Sequence, residues 1–244
     1  MKPGQKFRNA LKNNKPLIIP GTINAYSAKL AELANHNSIY LSGSGVAAAS
    51  YGLPDLGVTT LENVLIDAKR ITSATSLPLL VDIDTGWGDF DAISNTIIEM
   101  GNANVAAVHI EDQIFDKRCG HRPNKQLVSI DEMQDRLKAA LDAKIDDSFF
   151  IMARTDALAS EGIEKAIERC GKYLDVGADG IFFEAAVSIE EYKEFKNNFS
   201  APLLANITEF GKTPLFTQKE LSDVGVDMVC LLYTSDAADE FSWV

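Results

Sequence analysis

Eight short apolar runs recur along this chain, each followed by an amphipathic stretch, and that alternation constrains the fold more than any other feature. The runs are PLIIPG (16–21), SIYLSG (38–43), LPLLVDID (77–84), NVAAVHIED (104–112), FFIMARTD (149–156), GADGIFFEAA (177–186), APLLANIT (201–208) and VDMVCLLY (226–233). Helical patterns such as TTLENVLIDAKRITSAT (59–75) and SIDEMQDRLKAALDAK (129–144) separate them. In the latter, Ser129 and Glu132 carry the spacing of a reciprocal capping box. Strands that are apolar almost throughout are buried on both faces, as in a parallel sheet covered by helices. Eight such units predict a (β/α)8 barrel. A doubly wound open sheet is the alternative, but no Gly-x-Gly-x-x-Gly follows the first run. No low-complexity linker interrupts the pattern, so residues 1–244 read as one barrel domain. Residues 1–15 are expected to form a short helix over the barrel floor.

Charge and composition exclude several function classes. The 244 residues carry a net charge of −12, which argues against a nucleic-acid binder. No apolar run reaches the roughly 18 residues of a membrane helix. The stretch MKPGQKFRNALKNNKP lacks the apolar segment of a secretory signal. The cysteines, Cys119, Cys170 and Cys230, are odd in number and far apart. That suits a reducing cytoplasm better than a disulfide framework.

A barrel of this kind builds its active site from the C-terminal ends of the strands. Here the apolar runs end in polar groups: Tyr40, Ser42 and Ser44; Asp82 and Asp84; His109, Glu111 and Asp112; Arg154, Thr155 and Asp156; Glu184; Asn206 and Thr208. Asp82 and Asp84 would face the same way if their strand ran through both. Two close carboxylates repel unless a cation lies between them, and oxygen donors favour Mg2+, with Mn2+ as the alternative, over zinc. Glu111 would complete the site directly or through water. Cys119 stands in KRCGH, where Lys117, Arg118 and His121 would lower its pKa. Gly120 lets the backbone approach a ligand closely. Cys170 and Cys230 read as packing residues. Trp87 either covers the site or packs.

The segments YLSGSG, VDIDTGWG, HIEDQ, KRCGHRPNK, IMARTDA and LANITEFGKTPLF, in this order, resemble the isocitrate lyase and phosphoenolpyruvate mutase superfamily. The resemblance runs from about residue 5 to about residue 230. It implies Mg2+-dependent cleavage of a small tricarboxylate, 2-methylisocitrate, to pyruvate and succinate, as in propionate catabolism. The alternatives are isocitrate or a related 2-oxo or hydroxy acid as substrate, or an inactive truncated relative. By the same resemblance Asp82 and Asp84 match metal aspartates, with Asp55 and Glu111 acting behind them. Cys119 matches the catalytic acid, Lys117 a residue that sets its charge state, and Tyr40 a base for the substrate hydroxyl. Ser42, Gly43 and Ser44 match a carboxylate-holding loop. Gly120 and His121 match residues on the departing carboxylates, and Arg154, Glu184, Asn206 and Thr208 match substrate contacts.

The resemblance also implies a homotetramer and a chain that continues beyond the eighth strand. Here TSDAADEFSWV follows instead, and Ala237 stands where a carboxylate-binding arginine is expected. Residues 234–244 therefore read as an atypical tail, with the eighth helix missing or truncated. Weakened assembly and low activity are the expected result.

Overall fold

The computed structural model describes residues 1–122, 124–208 and 211–232. The expectations for residues 234–244, Ala237 included, lie outside the described residues. The elements run α1 (Pro3–Asn13), β1 (Leu17–Pro20), α2 (Ala25–Leu33), β2 (Ile39–Leu41), a single turn α3 (Gly43–Gly45), α4 (Leu61–Ala74), β3 (Leu79–Asp82), α5 (Phe90–Asn102) and β4 (Ala107–Glu111). They continue with α6 (Ile130–Asp142), β5 (Phe150–Thr155), the short α7 (Leu158–Glu161), α8 (Ile163–Val176), β6 (Gly180–Phe183), α9 (Ile189–Asn198), β7 (Leu203–Ile207), α10 (Gln218–Asp223) and β8 (Met228–Leu231). All eight strands join one parallel sheet in the order β1-β8-β7-β6-β5-β4-β3-β2. The ends of that order meet through a parallel bridge between Gly21 and Tyr40, where the Thr22 N–H donates to the Tyr40 carbonyl at 2.7 Å. The sheet thus closes into the expected barrel.

Strand periodicity divides the core in two. Side chains two apart share a face, so Leu17, Ile19, Leu80, Ala107, Phe150, Met152, Phe182, Leu204, Met228 and Cys230 fill the barrel interior. The alternate residues, among them Val81, Val108, Ile110, Ile151, Ala153, Ile181 and Ala205, pack outward against the helices. Helix α1 plugs the floor as expected: Phe7 and Leu11, one turn apart, join the interior cluster, and the rings of Phe7 and Phe150 lie 5.2 Å apart. Arg8 fastens the plug by donating to the Ser148 carbonyl at 2.9 Å and pairing with Asp179 at 2.7 Å.

Two local expectations are corrected. Ser129 caps α6 by accepting from the Glu132 N–H at 3.1 Å, but the Glu132 carboxylate turns away to accept from Arg136 at 2.7 Å. An ion pair one turn along the helix replaces the second half of the capping box. Asp112 and Thr155 do not face the barrel mouth. Their odd step relative to Glu111 and Arg154 turns them outward, where Asp112 accepts from Thr155 at 2.7 Å and from Tyr173 of α8 at 2.9 Å. They brace the wall between β4, β5 and α8.

Candidate active site

The face that is apolar deep in the barrel becomes polar at its C-terminal rim. Continuing each inward row by two residues leads from Leu80 to Asp82, from Ala107 to His109 and Glu111, from Met152 to Arg154, from Phe182 to Glu184, and from Leu204 to Asn206. Register sets them side by side, with Asp82 opposite His109 and Glu111 opposite Arg154. Above them a cavity of about 30 Å3 is lined by Tyr40, Ser42, Ser44, Asp55, Asp82, Lys117, Cys119, Gly120, His121, Arg154, Glu184, Asn206 and Leu232. The structure therefore gathers most of the residues read from the sequence around one small space. Thr208 is buried but does not line that space. Trp87 packs: its indole N–H donates to the Thr59 carbonyl at 2.9 Å.

Asp82 and Asp84 do meet, but not as neighbours on one strand face. The strand ends at Asp82, and Asp84 lies in a turn with φ 46°, a conformation that Asp tolerates better than most residues. The Asp84 N–H donates back to Asp82 Oδ1 at 3.0 Å, and the Gly43 N–H donates to Asp82 Oδ2 at 3.2 Å. A Cβ on Gly43 would come within 3.2 Å of both carboxylates. Lys117 reaches across from the next loop to Asp55 at 2.5 Å and Asp84 at 2.6 Å. Its ammonium is thus paired with two carboxylates.

Burial governs the protonation of this cluster. It pushes Asp84 up to about 6, against the pull of Lys117 and with the help of Asp82 and Asp55. It pushes Glu111 well above the usual carboxylate range, with Arg154 and Lys117 opposing. Burial also works against the charge of Asp82, yet the field of its positive neighbours outweighs it and holds that carboxyl below its ordinary value. Burial lowers His109 to about 4, so its ring is neutral at pH 7; it meets the Tyr40 hydroxyl at 2.9 Å. His121 accepts the Lys212 N–H on Nδ1 at 3.0 Å, which leaves Nε2 to face Glu184 Oε1 at 3.1 Å.

The donor set fits a hard cation. Asp55, Asp82, Asp84, Glu111, Asp156 and Glu184 outnumber the cations Lys117, Lys125 and Arg154, and neither Glu111 oxygen has a hydrogen-bond partner, although Arg154 Nε stands 3.2 Å from Oε2. The carboxylates of this set offer only oxygen, as Mg2+ prefers. Among the described residues no group of three or more His, Cys, Asp or Glu side chains is arranged to hold a metal ion by itself; Mg2+ is commonly held by one or two carboxylates, with water and substrate completing its shell.

Some residues at the site were not assigned a part in the sequence analysis. Leu232 continues the inward row of β8 beyond Cys230 and supplies an apolar wall. Gln113 clamps Arg118 through both backbone groups, at 3.0 and 2.8 Å. Lys125 is buried between the Gly120 carbonyl and Asp156. Their signal was weak, because one leucine, one amide and one loop lysine carry no motif.

A parallel barrel whose rim joins carboxylates, a thiol and an arginine defines an enzyme of small acidic metabolites. The chain belongs to the phosphoenolpyruvate mutase and isocitrate lyase superfamily: residues 7–235 match the family model described as phosphoenolpyruvate phosphomutase. It is 60% identical over 226 residues to a protein of Shewanella oneidensis named 2-methylisocitrate lyase, covering 93% of this chain and 77% of that one. Among solved structures it resembles oxaloacetate acetylhydrolase in complex with 3,3-difluorooxalacetate, with a TM-score of 0.92 and 33% identity over 99% of this chain and 84% of that one. It also resembles a phosphonopyruvate hydrolase complex with oxalate and Mg++, with a TM-score of 0.83 and 27% identity over 100% of this chain and 84% of that one.

Proposed function

We propose that this chain is a Mg2+-dependent carbon–carbon lyase that cleaves 2-methylisocitrate to pyruvate and succinate. The observation that carries the reading is Cys119, a thiol at the mouth of the acidic cavity, in a chain 60% identical to a protein named for that reaction. Asp82 and Asp84 would hold the ion, with Asp55 and Glu111 behind them. When bound, Mg2+ supplies Lewis-acid stabilisation of the charge that develops on the pyruvate half.

The chain's own residues divide the remaining work. Ser42, Gly43 and Ser44 cradle the carboxylate of the pyruvate half. Tyr40 takes the hydroxyl proton as its own phenol proton passes to Nε2 of the neutral His109 ring, 2.9 Å away. As the C–C bond breaks, its electron pair stays on the carbon of the departing succinate, and Cys119 Sγ gives that carbon its proton. Arg154, Glu184, Asn206 and His121 orient the succinate half. Lys117 balances the carboxylates. Gly120 allows the close approach, because a Cβ there would fall 2.4 Å from Arg154 Nη2 and 2.6 Å from Glu184 Oε1.

The reading of one barrel domain is carried forward because a single sheet holds every strand among the described residues. A homotetramer is also proposed; exposed Tyr26, Leu30 and Leu33 form an apolar stripe on α2 that assembly would cover. A cytoplasmic location accords with the three cysteines, none of which forms a disulfide among the described residues.

The test is a substrate panel. Purified chain with Mg2+ receives 2-methylisocitrate, isocitrate or oxaloacetate. Pyruvate is followed by coupling to lactate dehydrogenase, and oxalate and glyoxylate are followed directly. Pyruvate release from 2-methylisocitrate well above the turnover of the others is expected. Oxalate from oxaloacetate, or glyoxylate from isocitrate, as the dominant product would replace this reading.

A further inference from the structure

We infer that Lys125 is a positioning residue that ties the Cys119–Gly120 turn to the barrel wall, an inference whose catalytic meaning rests on the proposed lyase reading. Lys125 lies beyond the KRCGH segment, yet its side chain is only 2% exposed. Its Nζ donates to the Gly120 carbonyl at 2.5 Å and to Asp156 Oδ1 at 2.7 Å. Burying an ammonium is costly unless it is paired and hydrogen-bonded, and here two acceptors on different segments meet that need.

Both acceptors are themselves fixed. Asp156 Oδ2 accepts from Arg154 Nε at 3.0 Å, and the Asp156 N–H donates to Asp112 at 2.9 Å. Gly120 sits against Arg154 and Glu184 with no room for a side chain. The turn is closed by the Arg122 N–H donating to the Cys119 carbonyl at 2.9 Å, and Gln113 clamps the residue before the thiol. Lys125 therefore holds the far side of the thiol turn while Gln113 holds the near side. Through Asp156 it couples the thiol's height above the cavity to the guanidinium of Arg154. It touches neither the cavity nor a reacting atom.

The test reads the thiol directly. Lys125→Met and Lys125→Gln are compared with wild type for iodoacetamide alkylation of Cys119, located by peptide mass. Cys170 and Cys230 are fully buried and serve as internal controls. Release of the turn should raise the Cys119 rate about tenfold, and Tm should fall because buried Asp156 loses its ammonium partner. With 2-methylisocitrate, kcat should fall about a hundredfold, the scale of a 1 Å misplacement, while KM moves little. A folded variant with wild-type alkylation and wild-type kcat overturns the inference. If neither variant folds, hydrogen exchange of residues 118–122 in the wild-type chain decides. Slow exchange supports a pinned turn, and exchange at the rate of an unstructured peptide overturns it. Alkylation and exchange need no turnover, so a negative substrate panel would remove the lyase reading without touching this one.

Discussion

Cys119 is the residue on which the proposed chemistry turns. Serine in its place keeps the size but is a far weaker acid, so Cys119→Ser should lower kcat by about 10²–10⁴ and leave pyruvate binding in the presence of Mg2+ nearly intact. Single-turnover kinetics with calorimetry of pyruvate binding would check this; kcat within about tenfold of wild type would take the thiol out of the mechanism. His109 offers a second single-residue prediction, this time in stability. Its pKa falls from the ordinary 6.5 to about 4 because it is buried. Above pH 6.5 both folded and unfolded chains leave the ring neutral. Below that, only the unfolded chain binds the proton, so stability drops as pH falls from 6.5 toward 4, by on the order of 3 kcal/mol. Asp84, pushed up to about 6, gains its proton in the folded chain over the same range and opposes this loss, so chemical denaturation in EDTA should show it as the difference in slope between wild type and His109→Gln. An equal slope in both proteins would mean that the ring is not held neutral. Much of the rim was legible at this scale, since residues two apart on apolar strands must share a face. The same rule, applied strictly, also separates Asp112 and Thr155 from Glu111 and Arg154. The pairing of Asp82 with Asp84 was legible only as a pairing, because a turn rather than a pleat brings them together.

Elements decide how firmly that rim is held. Helix α1 was legible as a floor from its position alone, but its energetic part comes from Phe7, fully buried in the interior cluster beside Phe150. Phe7→Ala should destabilise the chain by about 3–5 kcal/mol, the usual cost of emptying a buried phenylalanine site, while KM stays near wild type because the floor lies at the opposite end of the barrel. Urea denaturation alongside steady-state kinetics measures both. A loss below about 1 kcal/mol would show that α1 lies over the barrel without plugging it. The loop after β4 was harder to read. Its KRCGH core stands out in sequence, whereas the side chains that pin it, Gln113 and Lys125, act through backbone carbonyls and leave no pattern. A hydrogen bond to a carbonyl can be met by any residue that brings one there.

For the whole molecule, the charge balance at the rim links metal, fold and function. The carboxylates gathered by four strand ends and two loops exceed the cations that face them, and burial disfavours the charged form of Glu111 by raising its pKa. A divalent cation bound there would relieve that repulsion in the folded chain and find no comparable site in the unfolded one. Ligands that bind only the folded state stabilise it by mass action, about 2.7 kcal/mol at a concentration of 100 times Kd. For a chain of this length each kcal/mol raises Tm by roughly 2–4 °C. Saturating Mg2+ should therefore raise Tm by about 5–10 °C over EDTA, with no substrate present. Asp82→Ala should abolish that increment by removing a carboxylate that would hold the ion. Asp84→Ala should leave a reduced increment that excess Mg2+ partly restores. Scanning calorimetry of the three proteins in EDTA and in Mg2+ gives the answer without reference to activity. Equal melting temperatures for the wild-type chain in both conditions would mean that Lys117 alone satisfies the cluster, and the Mg2+ assignment would fall.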